Sequence, residues 1–555
     1  MNKHRGADAL VTTLQRAGID TIYALSGNHI MPLFDALFES GIRLIHTRHE
    51  AACVHMADAH ARITGKPGVA LVTGGPGHAN AVGALYTAQM SESPVLLLSG
   101  HAPNDQIGMG SFQEMRQAEM AAPVTKLSFT AASAASLAAD VARALHTAKT
   151  GRPGPVHLSL PTDALETLID ATQQTLGASA STGSQAPAAA HTKTLGAADA
   201  VRSLAWLAAG AKPLVLAGPC MLTPSGRARL LALEDACGIP VIGMESPRGV
   251  NDPALGAFAQ MLGEADRVLL VGKKVDFTLK FGKAFSASCV CMQIDAEEVE
   301  RERARRALGT RLTASMEAEA AAAIAALTDQ AQSVLTAATS AHRDWREKIT
   351  TALQHRPAAW ISARAPLPER LRPVEACRPL QAVLDSDADA VLISDGGEFG
   401  QWAQACLSAP QRIINGPAGA IGPGLPFAIG ARAALGMRDV PVLAFMGDGT
   451  FGFHVAEFDT AVRHNLPFVA IVGNDARWNA EYQIQLKAYG KARLHGCELL
   501  PVRYDQVAVA FGGHGEFVTE AAQLLPAVER AMASGKPACV NVMIEGAPAP
   551  LVTHG

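Results

Sequence analysis

The segment Val440–Asp475 carries the residue types best placed for chemistry. A Gly447-Asp448-Gly449 turn closes one apolar run, and Asn474-Asp475 closes the next. Between them the spacing predicts a helix from about Phe453 to His464. A helix of about 12 residues runs about 18 Å away from a sheet edge. A returning strand of about 6 residues covers about 20 Å in the opposite sense. Both aspartates therefore return to the carboxyl edge of the sheet, where α/β proteins bind ligands. Two carboxylates among glycines suit a hard divalent cation such as Mg²⁺, which takes its remaining ligands from phosphate and water. Phosphate oxygens would also meet the unpaired N–H groups at the helix start. A bare G-D-G is more often only a tight turn; the second acidic strand end argues for a site.

A second cluster is Arg48-His49-Glu50-Ala51-Ala52. Glu50 reads either as a first-turn acid stabilised by the helix dipole or as an acid–base group whose pKa burial would raise. His46, His49, His55 and His60 lie nearby, and His49-Glu50 begins like H-E-x-x-H. Cys53 stands where the second histidine is required, so the zinc-protease pattern fails, and His55 and His60 read as core or helix-surface residues. Thr73-Gly74-Gly75-Pro76-Gly77-His78-Ala79-Asn80 is a glycine-rich turn after a strand. A dinucleotide fingerprint there fails because Asn80 occupies the place of the third glycine.

These residues need parallel sheets to position them, and the chain supplies strand–helix alternation throughout. Its 555 residues predict three or four domains. Hydrophobic residues at 48% and charged residues at 18% exclude a disordered chain, a collagen-like repeat or a coiled coil. A net charge of −4 with thinly spread Lys and Arg argues against a nucleic-acid surface. Nine cysteines without a C-x-x-C pair indicate neither a disulfide framework nor a zinc ribbon, and Cys289 and Cys291 read as core filler. The first twenty residues have helical spacing rather than a signal-peptide stretch, and no apolar run approaches the ~18 residues that span a bilayer. The expectation is a soluble, cytoplasmic protein.

The expected fold class is α/β, with three consecutive parallel-sheet domains at 1–176, 197–340 and 377–555. Strands are expected at Thr21–Leu25, Ile42–His46, Val69–Thr73, Val95–Ser99 and Val156–Leu160 in the first. The second has Pro213–Ala217, Pro240–Ile242, Arg267–Val271 and Val290–Ile294; the third has Ala390–Ser394, Val440–Met446, Phe468–Gly473 and Ala538–Ile544. Residues 177–196, rich in Ala, Ser, Thr and Gly, read as one linker, and 341–376, with no clear period, as another.

G-D-G followed at this spacing by N-D resembles the thiamine-diphosphate fingerprint. The chain resembles thiamine-diphosphate-dependent enzymes of the acetolactate synthase, benzaldehyde lyase and 2-hydroxyacyl-CoA lyase family, along nearly its whole length. The resemblance implies that the three domains are pyrimidine-binding, middle and diphosphate-binding. It implies that Asp448, Asp475 and the Arg477 backbone carbonyl ligate Mg²⁺, with Gly447, Gly449 and Thr450 around the diphosphate. The family often has Asn where Asp475 stands, a change of site charge rather than of ligand. Glu50 would hydrogen-bond the aminopyrimidine and favour the tautomer that takes the thiazolium C2 proton. Thr73 and Asn80 match the pyrimidine-side turn. In the run from Asn415 to Gly422, Gly419 would contact the aminopyrimidine and Ile421 would hold the cofactor bent. Gly396 and Gly397 would lie near the diphosphate.

The resemblance further implies a homodimer or homotetramer with its active site at a subunit interface, acting on a small carbonyl compound. The activity implied is a carbon–carbon lyase or carboligase acting on aldehydes, 2-oxo acids or acyloins. Gly27-Asn28-His29-Ile30, Gln113 and Trp478-Asn479-Ala480 resemble the benzaldehyde lyase pocket, where His29 and Gln113 would orient the substrate; His29 reads equally as a helix-entry residue. Phe511–Gly515 and Phe277–Gly282 instead resemble 2-hydroxyacyl-CoA lyase and oxalyl-CoA decarboxylase, although the chain stops soon after Ile544, where those enzymes often have a longer tail. Acetolactate synthases place a tryptophan several residues past the metal ligands; Ala480–Tyr489 has none, and Trp478 stands earlier. A cofactor-retaining protein without catalysis is the non-enzyme alternative. Lys273, Lys274 and Lys280 of the middle domain read as a solvated face, with a phosphate contact as the rival.

Overall fold

The computed structural model describes residues 3–170, 192–334 and 340–552, so 177–191 of the first expected linker lie outside the described residues. The chain divides into two compact units, residues 1–191 and 192–555.

The first unit is built on a six-stranded parallel sheet. Its order is Arg43–His46, Thr21–Ala24, Gly68–Val72, Val95–His101, Val156–Pro161, Leu127–Thr130. The strands Gly68–Val72, Val95–His101 and Val156–Pro161 are buried at every position. Parallel strands covered on both faces read as such continuous apolar runs. A short antiparallel ladder joins Lys3–Arg5 to Leu168–Asp170.

The second unit holds two further parallel sheets. The middle one has five strands, ordered Val241–Gly243, Pro213–Ala217, Arg267–Val271, Val290–Ile294, Leu312–Met316. The other has six: Gln411–Ile414, Val391–Ser394, Val442–Gly447, Val469–Asn474, Ala538–Met543, His514–Val518. The fold class is therefore α/β with three parallel sheets.

Strand order places the candidate residues. In the first sheet the chain steps from Thr21–Ala24 outward to Arg43–His46, then returns to the other side at Gly68–Val72. In the third it steps from Val391–Ser394 to Gln411–Ile414 and returns at Val442–Gly447. Helices leave on opposite faces at such a reversal and open a crevice at the carboxyl ends of the strands. Gly27 and Thr73 flank the first crevice; Gly396 and Asp448 flank the other.

Four strands of these sheets lacked a sequence signal, and each is a sheet edge: Leu127–Thr130, Leu312–Met316, Gln411–Ile414 and His514–Val518. The helix expected from Phe453 to His464 is two helices, Asp448–Phe453 and Glu457–Arg463, interrupted at His454, whose backbone leaves the helical region (φ −127°, ψ 29°). The segment 341–376 is not unstructured throughout, because Ser340–Gln354 is a helix. Its Trp345, Ile349 and Ala352 are buried in the core of the middle sheet, and the Trp345 indole donates to the Pro213 carbonyl at 2.9 Å. Lys273 is not on a solvated face either: it is 3% exposed and its ammonium donates to Thr278 Oγ1 at 2.6 Å.

Candidate active site

The carboxyl edge of the first sheet gathers Glu50, Thr73, Asn80, His29 and Gln113. Glu50 opens the helix Glu50–Thr64, where His49 caps the end by accepting from the Ala51 N–H at 3.1 Å. Asn80, on the helix Pro76–Met90, donates from Nδ2 to Glu50 Oε2 at 3.0 Å. The other carboxylate oxygen faces Gly77, where an added Cβ would lie 3.4 Å from Oε1 and 2.8 Å from Thr73 Cγ2. His60 is buried and hydrogen-bonded to the Tyr23 hydroxyl at 2.9 Å.

His29 is 5% exposed, its Nδ1 is 3.3 Å from Thr73 Oγ1, and its ring stacks on Phe112 at 6.1 Å. Burial, and secondarily the charge of His101, hold its pKa below the ordinary histidine value. Gln113 has a left-handed backbone (φ 58°) and passes so close to Gly75 that a Cβ there would lie 2.7 Å from the Gln113 carbonyl oxygen. Glu114 fixes the loop by accepting from the Gly110 and Ser111 N–H groups at 3.0 Å.

In the third sheet a cleft is lined by Gly396, Gly397, Ile421, Gly447, Asp448, Gly449, Thr450, Asp475 and Arg477, together with Glu398, Trp478 and Glu481. Asp448 begins its helix at the end of Val442–Gly447, and Thr450 Oγ1 donates back to the Gly447 carbonyl at 2.9 Å. Ala476, at φ 57°, turns the chain sharply after Asp475. The ladder beyond runs from Trp478 N–H to the Cys497 carbonyl and from Leu499 N–H to the Ala476 carbonyl; the Arg477 carbonyl takes part in neither bond.

The glycines here are required by what packs on them. A Cβ on Gly396 would stand 2.6 Å from Ile421 Cγ2, and one on Gly449 would stand 2.6 Å from the Trp478 ring. Trp478 meets Phe453 edge-on at 6.1 Å.

The electrostatics favour a cation. Asp448 is 1% exposed, and among the described residues its Oδ2 has no hydrogen-bond partner. Burial pushes the Asp448 carboxyl up to about 7, against the backbone N–H groups of Gly449, Ala476 and Arg477. Burial and the Asp448 charge push Asp475 up to about 7 as well. Two desolvated acids with an unused oxygen and few protein donors suit an ion that keeps water and phosphate ligands. The residues present thus fit a divalent metal with a diphosphate.

Sequence reasoning missed two organisers. Asp395 is fully buried and accepts from Gly396 N–H at 2.5 Å, from Gly422 N–H at 3.1 Å and from Gly424 N–H at 2.8 Å. It ties the Ile421 loop to the strand end; its signal was an acid between an apolar strand and two glycines. Gln117 accepts from the Gly75 N–H at 2.9 Å and donates to the Gly100 carbonyl at 3.1 Å and Ser159 Oγ at 2.9 Å. Nothing local marks it, since its partners come from three other segments.

Sheets with crevices at their switch points, one holding a buried acid pair among glycines, define an α/β enzyme that binds a phosphorylated cofactor. Comparison with known proteins specifies which. Residues 4–120 match the thiamine pyrophosphate enzyme N-terminal TPP binding domain, and residues 395–542 match the thiamine pyrophosphate enzyme C-terminal TPP binding domain. The acetolactate synthase large subunit IlvG of Mycobacterium tuberculosis is 34% identical over 549 residues, covering 96% of this chain and 94% of the relative. A probable acetolactate synthase of Mycobacterium bovis matches equally, at 34% over the same length and coverage. Human 2-hydroxyacyl-CoA lyase 2 is 28% identical over 587 aligned positions, covering 97% of this chain and 90% of the relative. The chain belongs to the thiamine-pyrophosphate-dependent enzymes, which form or break carbon–carbon bonds.

Proposed function

We propose that this enzyme is a Mg²⁺-assisted lyase or carboligase acting on aldehydes, 2-oxo acids or acyloins. The observation that carries the reading is the buried Asp448–Asp475 pair facing Gly396 and Gly397 in one cleft. When bound, the cofactor supplies a carbanion at thiazolium C2 that adds to carbonyl carbon. The chain's part is to hold, orient and move a proton. Asp448, Asp475 and the Arg477 carbonyl bind the cation. Gly447, Gly449, Thr450, Gly396 and Gly397 receive the diphosphate. Ile421 holds the cofactor bent, Gly419 contacts its aminopyrimidine, and Thr73 borders the pyrimidine side. Glu50 passes the proton through Oε1 while Asn80 keeps Oε2. His29 and Gln113 orient the substrate carbonyl.

The assembly we propose is a homodimer or homotetramer in which neighbouring copies complete each active site. Among the described residues no helix is long and apolar enough to cross a membrane. None of the nine cysteines forms a disulfide, which suits a reducing compartment such as the cytoplasm.

A second reading, cleavage of 2-hydroxyacyl-CoA thioesters, is favoured by the lyase relatives that span nearly the whole chain. Calorimetry with thiamine diphosphate, with and without Mg²⁺, tests the site. Turnover on pyruvate, benzoin and a 2-hydroxyacyl-CoA then separates the readings. Tight Mg²⁺-dependent binding with pyruvate or benzoin turnover is expected. Carbon–carbon cleavage of the 2-hydroxyacyl-CoA alone selects the second reading, and binding without turnover removes both.

A further inference from the structure

The middle sheet also reaches the cleft. After the strand Val241–Gly243 the chain turns through Pro247 and Arg248, and Pro247 Cβ lies 3.8 Å from where a Gly419 side chain would begin. Arg248 Nη2 stands 3.7 Å from Glu398 Oε2, and Glu398 lines the cleft at its Gly397 edge. At that distance the two groups attract without forming a hydrogen bond. Among the described residues the Arg248 side chain makes no hydrogen bond, so all five of its donors are unspent.

The remaining charges of the cleft are Asp448, Asp475, Glu481 and Arg477. The Arg477 guanidinium is engaged 4.4 Å over the Tyr482 ring. A cation held by Asp448 and Asp475 would meet the diphosphate, while Glu398 and Glu481 repel a further anion unless a free cation turns to it. Arg248 is 46% exposed, so its attraction to Glu398 is screened and weak. A bidentate contact with a carboxylate or phosphate is the stronger option for a planar guanidinium.

We propose that Arg248 is an anion-binding residue of the cleft, exchanging its loose pairing with Glu398 for an oxyanion of the ligand. That oxyanion is the carboxylate of an acidic carbonyl substrate or the diphosphate of the cofactor. The inference rests on reading this cleft as the active site.

Arg248→Gln and Arg248→Lys, each checked for unchanged circular dichroism, distinguish the sources. Calorimetry of thiamine diphosphate with Mg²⁺ reads the diphosphate arm. Calorimetry of pyruvate on the loaded enzyme, with KM values for pyruvate and uncharged benzaldehyde, reads the carboxylate arm. The Gln variant is expected to weaken one of them by about tenfold or more, with kcat less affected and partial recovery in the Lys variant. A change confined to pyruvate assigns the substrate carboxylate; a change in cofactor affinity assigns the diphosphate. Equal losses for pyruvate and benzaldehyde with cofactor affinity intact, or no change in either arm, would overturn the proposal. Wild-type protein that binds cofactor but turns over nothing defeats the proposed activities and leaves this proposal to the two calorimetric arms, which need no turnover.

Discussion

Asn80 Nδ2 lies 3.0 Å from Glu50 Oε2, joining the N-terminal ends of two neighbouring helices through one side-chain hydrogen bond. The bond engages one carboxylate oxygen and leaves the other facing Gly77, so it orients the acid without consuming it. Glu50→Gln should retain fold and metal binding while nearly abolishing C2–H/D exchange of bound cofactor, followed by NMR. Asn80→Ala should slow the same exchange by roughly tenfold, because a hydrogen bond to a charged group is lost. Asn80 is exposed, so the thermal midpoint should move little. Exchange at the wild-type rate in Glu50→Gln would remove Glu50 from the mechanism.

Asp448 has an orphaned oxygen that a cation would satisfy. Asp448→Asn should weaken Mg²⁺-dependent binding of thiamine diphosphate by about 100-fold or more, as expected when a metal loses one of few protein ligands. Chelation with EDTA should reproduce that loss in the wild type, and Mg²⁺ should reverse it there but not in the variant. Titration calorimetry checks both; equal affinity with and without the metal would contradict the assignment.

Asp395 gives a pH signature independent of any ligand. Burial raises its carboxyl to about 6, opposed by the N–H groups of Gly396, Gly424 and Gly422. The folded pKa lies above the unfolded one, so its contribution to stability is fullest below about 4 and declines as pH rises to about 6. A shift of about two units corresponds to about 3 kcal/mol. Asp395→Asn does not titrate, so the stability difference, wild type minus variant, should fall by about that amount between pH 4 and 6.5 and stay level above. Denaturant melts across that range check it; a difference independent of pH would mean the carboxyl is not perturbed. Because Asn must turn a donor toward Gly422 or Gly424, the variant should also bind cofactor more weakly.

The sequence was legible where the physics is local. Central parallel strands are buried on both faces, so Val95–His101 and Val442–Gly447 announced themselves as apolar runs. Edge strands such as Leu127–Thr130, whose positions are at most half-buried, did not. The helix Ser340–Gln354 hid its period because Trp345, Ile349 and Ala352 stand among Arg, Lys, Asp and Glu. The Asp448–Asp475 pair could be read from strand ends, since topology alone returns both acids to one edge. Gln117 and Arg248 could not, because their partners lie far away in sequence.

His29 tests the substrate side. Burial and the neighbouring His101 hold its pKa below the ordinary value, which favours the neutral ring and a role by hydrogen bonding rather than by charge. A neutral imidazole offers one donor and one acceptor, and Nδ1 already faces Thr73 Oγ1 at 3.3 Å. The Phe112 carbonyl also approaches the ring as an acceptor, so a substrate carbonyl or hydroxyl would compete with it for the remaining nitrogen. His29→Ala should lower kcat/KM by about 10- to 100-fold while leaving cofactor affinity unchanged. Through neutral and alkaline pH the variant's kcat/KM profile should keep the wild-type shape, because the lowered His29 pKa favours the neutral ring there. His29→Asn, which retains a donor and an acceptor, should recover part of the loss. Thr73→Val should mimic a weaker version of His29→Ala by freeing the ring. A wild-type profile whose limb near pH 7 vanishes in His29→Ala would instead show that the ring works by changing charge, which its buried setting opposes.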